Sequence, residues 1–214
     1  MALSDSLILE GLEKGTVIID GFNRDYLNPC SVDLTIAPEL KTYIRETQKC
    51  HITKAPDWVL ATGHCVFHSD DIIEYEVPLD VKRPNLTASF VMPETGFVLV
   101  PNEVYLYSCN ERIGVKGNIR AKVEGKSSLG RLGLDIHITA GFIDPGFEGS
   151  LVLELSSRRP IRIYPNMKIC QIEFTTVEGE ILETYDAKSG SKYHNQSGVQ
   201  ESLMHKNFES HDNK

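Results

Sequence analysis

The 214-residue sequence predicts an all-β protein, a barrel or sandwich of short strands with a few short helices. Three observations carry this expectation. Short apolar or alternating runs bounded by Gly, Pro, Asn or Asp recur at close intervals, helical periodicity is scarce, and no tandem repeat is present. Taken in order, Ser4-Asp5-Ser6 can cap a short helix through Leu7, Ile8, Leu9 and Leu12, ended near Gly15. Strands are then expected at 16–19, 31–36, 72–77, 97–100, 104–109, 117–123, 134–139, 150–155, 160–163 and 167–175. One further helical stretch follows Ser127-Ser128, whose hydroxyls are natural N-caps. The run YDAKSGSKYHNQSG at 185–198 is polar and short of apolar anchors. The chain therefore divides into a β-domain at 1–184 and a mobile arm at 185–214. By composition the arm is either a frayed tail or a carrier of Lys, Tyr and Gln for a ligand.

A hydrophobic share of 41% and a charged share of 24% describe a globular chain with enough length to bury a core. The longest apolar runs are four residues, such as Phe97-Val98-Leu99-Val100, too short to span a bilayer, and the N-terminus lacks a signal-like pattern. Five widely spaced cysteines without a C-x-x-C point to reduced thiols in a cytoplasmic protein. The net charge of −8 disfavours a nucleic-acid polymer as partner. That charge is uneven: residues 1–95 hold 8 basic and 15 acidic side chains, whereas 116–131 holds Lys116, Arg120, Lys122, Lys126 and Arg131 against Glu124 alone. One concentrated basic stretch in an acidic protein suits a small anion, or is simply a solvated strand face.

The stretch VEGKSSLGR at 123–131 ends a strand at Gly125 and sets two hydroxyls at a helix start between Lys126 and Arg131. Unpaired N–H groups at such a start, with Arg as a bidentate donor and Lys as a point charge, suit phosphate; a plain helix cap is the alternative. Asp144-Pro145-Gly146 is a turn signature in which Asp144 either stabilises the turn or projects a carboxylate into a cleft. In 150–155, Leu151, Leu153 and Leu155 face one way and Ser150, Val152 and Glu154 the other. Glu154 is then either solvated or, on a cleft wall, a proton shuttle. No His begins an H-x-E, so the zinc deaminase signature is missing; Walker-type and G-x-S-x-G motifs are missing too.

The segment VEGKSSLGRLGLDIHITAGFIDPGFEGSLVLELSSRRPIRIYPNMKICQIEF at 123–174 resembles the core of the dCTP deaminases, members of the trimeric dUTPase-like superfamily. The likeness extends to Asn28-Pro29-Cys30-Ser31-Val32-Asp33-Leu34 and to Ser191-Lys192-Tyr193-His194-Asn195-Gln196, and is weakest between about 38 and 95. It implies a distorted, jelly-roll-like β-barrel of the β-clip type, assembled as a homotrimer with sites at subunit interfaces. It implies metal-independent chemistry at the base, with Mg²⁺ accompanying the triphosphate and no zinc or protein-held metal. Glu154 would be the proton shuttle, Ser127 and Arg131 would hold the water and the polarised base, and Lys126 and Ser128 would contact phosphates. Asp144 would bind the sugar 3′-hydroxyl. Leu129, Gly130, Ala140, Val152 and Leu153 would line the nucleotide, and Tyr185, Lys192 and Gln196 would fold over it. Feedback inhibition by dTTP is also expected from the family.

Two departures matter. Lys126 stands where the family usually has Arg, which keeps charge but removes a bidentate grip. Gly141-Phe142 follows Thr139-Ala140 where strict deaminases often carry His-Arg. The TAGFIDPGF form resembles the dUMP-forming members, in which the Asp matching Asp144 also orients a water onto the α-phosphate. The expectation is dCTP deamination continuing to dUMP and diphosphate, for thymidylate precursor supply. The alternatives are a deaminase that releases dUTP, a dUTPase without deamination, and a nucleotide-sensing regulator on the same fold. Trp58, His64 and His68 receive no functional role.

Overall fold

The computed structural model describes residues 1–68, 71–139 and 141–209. Strands dominate, as expected, and the chain divides into two compact units. The first comprises residues 1–42 and 89–201; the second comprises residues 43–88 and the chain from 202 onward.

In the first unit the opening helix runs Asp5–Lys14, with Ser4 at its N-cap and Gly15 closing it in the left-handed conformation. Ile8 is fully buried on its inner face. Gly11 is there because the helix rests on the next strand: a Cβ at this position would lie 2.8 Å from Val17 Cγ2. That strand, Val17–Asp20, pairs antiparallel with Tyr105–Val115. The main sheet then runs in the order Leu134–Asp135, Glu148–Ser157, Tyr105–Val115, Ser31–Tyr43, Lys168–Thr176, Ile119–Gly125, Phe142–Ile143, and curls into a half-barrel. Phe97–Leu99 and Ile161–Ile163 form a separate two-stranded pair. Alternating residues from these strands meet inside the curl, where Leu34, Ile36, Tyr107, Ile113, Leu155, Ile172 and Phe174 are all fully buried. Each large apolar side chain withdrawn in this way contributes roughly 1.5–3 kcal/mol before entropy is counted.

Three strands exceed their expected lengths, Ser31–Tyr43, Tyr105–Val115 and Glu148–Ser157. Ser31–Tyr43 and Tyr105–Val115 pair with each other, and the polar residues that suggest earlier ends are accommodated by that pairing. Glu111 is 5% exposed because its carboxylate accepts from the Thr35 N–H at 2.9 Å and the Thr35 hydroxyl at 2.8 Å. Leu134–Asp135 is shorter than the expected 134–139: its pairing with Ser157 and Ser156 is not continued past Asp135, although the partner strand itself runs on. The second unit has a three-stranded antiparallel sheet with Ile72–Glu76 between Thr47–His51 and Val66–Phe67. A six-residue helix, Asp57–Thr62, adds Val59 to a small core with Ile73 and Tyr75. All five cysteines are free thiols, and no helix among the described residues is long and apolar enough to cross a membrane.

Candidate active site

The Glu148–Ser157 strand alternates as its sequence implies. Leu151, Leu153 and Leu155 are buried, and Ser150, Val152 and Glu154 form a half-buried face. Leu153, at 2% exposure, therefore turns its side chain into the core and away from any cleft. Glu154 gains a fixed orientation from the neighbouring strand. Leu134–Asp135 pairs with Ser156 and Ser157 and carries the following loop alongside, so that the Ile138 N–H donates to Glu154 Oε2 at 3.0 Å. The buried Tyr107 hydroxyl donates to the Ile136 carbonyl at 3.1 Å and anchors the same loop from below. No ion pair joins Glu154 to a cation among the described residues. Ala140, assigned to the nucleotide by resemblance, lies outside the described residues.

Strand Ile119–Gly125 leads directly into the short helical turn Ser127–Gly130, with Lys126 extended at its N-cap. Ser127, Ser128, Gly130 and Arg131 are exposed, while Leu129 packs against the core. Lys126 is engaged within the chain. Its ammonium lies 2.6 Å from Asp33 Oδ1, and Lys168 approaches Oδ2 of the same carboxylate at 3.1 Å. Asn28 donates to Oδ1 at 3.2 Å. Asp33 is 4% exposed. Burial pushes its carboxyl up, but the two lysines outweigh that effect and hold it below the ordinary 3.8. In the sequence Asp33 stands out only as part of a motif; the available signal is a carboxylate inside an otherwise apolar strand.

The Asp144-Pro145-Gly146 turn closes through the Phe147 N–H, which donates to the Asp144 carbonyl at 3.0 Å. Gly146 has φ +90, and a Cβ there would collide with Asp186 Oδ1, so glycine lets the arm dock directly on the turn. The Tyr185 N–H donates to the Pro145 carbonyl at 2.8 Å, and the Tyr185 ring meets Phe147 edge-on at 5.7 Å. The result is a cleft of about 560 Å³ that brings Asp144 together with Tyr185 and Lys192, and adds Arg120, Glu183 and Lys188. Arg120 and Lys188 carry no local sequence signal that marks them as facing a cleft. Gln196 lies on the Glu154 strand instead: its amide donates to the Ser150 carbonyl at 2.7 Å, and the Ser150 N–H donates to the Gln196 carbonyl at 3.0 Å. Among the described residues no hydrogen bond or ion pair joins Glu154 to Ser127, Arg131 or Asp144.

Replacing Asp33 by Asn is expected to destabilise the protein by about 1–3 kcal/mol at pH 7, since two partly exposed lysines lose one buried partner. Because the native carboxyl titrates below its unfolded value, its contribution is complete above the ordinary 3.8 and is lost as pH falls through the native value. Denaturant unfolding of both proteins checks this: the difference should shrink in strong acid, and equal stability at pH 7 would refute it.

A family model described as dCTP deaminase-like matches residues 2–177. A Clostridium botulinum protein named "dCTP deaminase, dUMP-forming" is 38% identical over 209 residues, covering 98% of this chain and 99% of its own. A Leptospira biflexa protein of the same name is 45% identical over 142 residues, covering 66% of this chain and 79% of its own. In fold, the chain is similar to the crystal structure of 2′-deoxycytidine 5′-triphosphate deaminase from Agrobacterium tumefaciens, with a TM-score of 0.56 at 19% identity. That match covers 82% of this chain and 48% of the other.

Proposed function

The chain belongs to the dCTP deaminase-like family, and on that premise we propose that it converts dCTP to dUMP. The balance is dCTP and two waters giving dUMP, ammonia and diphosphate. The observation that carries this reading is Glu154, a half-buried carboxylate oriented by the Ile138 N–H and without a cation partner among the described residues. Such a group can take a proton from water attacking cytosine C4 and return it to the departing amino group. Ser127 and Arg131 hold the water and the polarised base, and Lys126 and Ser128 meet phosphates. Asp144 takes the sugar 3′-hydroxyl and aims the second water at the α-phosphate, beside Tyr185 and Lys192 in the cleft.

Mg²⁺ would accompany the triphosphate, held through the phosphate oxygens, and would neutralise part of their charge. Among the described residues no hydrogen bond or ion pair joins Glu154 to Asp144, in keeping with a homotrimer whose sites are completed between copies and closed by the arm from 185 onward. Inhibition by dTTP and a cytoplasmic setting belong to the same reading. Incubation with dCTP and Mg²⁺, followed by ammonia assay and nucleotide chromatography, tests it. Ammonia and dUMP in equal amounts are expected; no ammonia would overturn the deaminase reading, and accumulating dUTP would overturn the dUMP-forming one.

A further inference from the structure

We propose that Arg112 and Glu148 form a latch that positions the C-terminal arm for nucleotide binding. The proposal rests on the reading of the arm as a nucleotide contact. Arg112 lies opposite Ser150 in the pairing of Tyr105–Val115 with Glu148–Ser157, and Glu148 lies opposite Gly114, so the two side chains are diagonal neighbours on one face. Arg112 Nη1 donates to Glu148 Oε1, and Lys116 approaches Oε2 at 3.5 Å. The guanidinium fork is only half used by this pair. Its Nη2 donates to Asn195 Oδ1 at 2.8 Å, and the Asn195 N–H donates to the Glu148 carbonyl at 2.7 Å.

The arm is thus bound by side chain and main chain at one point. Asn195 takes φ +58 there, a left-handed conformation that Asn tolerates better than most residues. The placement matters because Asn195 stands between Lys192 and Gln196, two of the three arm residues expected to reach the nucleotide. Gln196 follows directly and is pinned to Ser150 in both directions. Lys192 is three residues earlier, so a fixed Asn195 confines its Cα to within roughly 10 Å. Arg112 and Glu148 touch no assigned catalytic group. They act by removing conformations the arm would otherwise have to lose when ligand binds.

The test uses the full chain with Arg112→Ala, Asn195→Ala and the double variant. It measures amide hydrogen exchange of the arm without nucleotide, and KM and kcat for dCTP with Mg²⁺. Each single variant is expected to speed exchange at residues 193–197 and raise KM about 10-fold, with kcat within about twofold. The double variant should be no worse than the more affected single variant, since both substitutions open one latch. Asn195 is exposed on the arm, so its variant keeps the test available if Arg112→Ala fails to fold. Unchanged exchange would overturn the latch, and faster exchange with unchanged KM would overturn its positioning role. Wild-type protein that released no ammonia would remove the activity reading instead, leaving the exchange result to decide whether the latch exists.

Discussion

Glu154→Gln is expected to lower ammonia release from dCTP by about 10³-fold or more, because one group serves both proton transfers at C4. Gln keeps nearly the same shape and an oxygen that can accept the Ile138 N–H, so the loop and the strand register should persist. What it lacks is a basic site for the attacking water's proton and an acid for the leaving amine. Calorimetric binding of dCTP is expected to stay within a few fold of wild type, which separates lost chemistry from lost binding. Deamination at an undiminished rate would refute the assignment.

Asp144→Asn is expected to act on the other half of the reaction. Its carboxylate faces the cleft beside Lys192 and Tyr185, where it can both accept from the sugar 3′-hydroxyl and orient a water. The amide keeps an acceptor for the hydroxyl but aims and polarises water poorly, so diphosphate release should fall by about 10²-fold. The dUTP share of product should then rise, since the C4 chemistry belongs to Glu154. Time-resolved chromatography distinguishes the two: an unchanged dUMP-to-dUTP ratio would remove Asp144 from the hydrolytic step.

Much of this is legible in the sequence because local signals are complete. Ser4 and Gly15 bracket the first helix, and the Leu151, Leu153, Leu155 alternation assigns Glu154 to the opposite face with no structure at hand. The second unit is nearly silent for the opposite reason. Thr47–His51 is largely exposed and shows no apolar alternation, and Asp57–Thr62 is too short for a helical period. Contacts between distant positions are also invisible. Lys126 and Asp33 are 93 residues apart, and Arg112 and Asn195 are 83 apart; only the fold brings them together. The sequence presents Lys126 as a free phosphate ligand, and its engagement with Asp33 means that a nucleotide has to compete for that ammonium.

Two of the arm's attachments respond to different solution conditions. At Gly146 the contact is steric and main-chain, a bare Cα under Asp186 with the Tyr185 ring edge-on to Phe147, and dissolved ions have little to screen there. At Arg112 the attachment runs through charges that are about one-third exposed, within reach of salt. Ionic strength therefore acts on the attachment at Asn195 while the root of the arm at Gly146 stays docked.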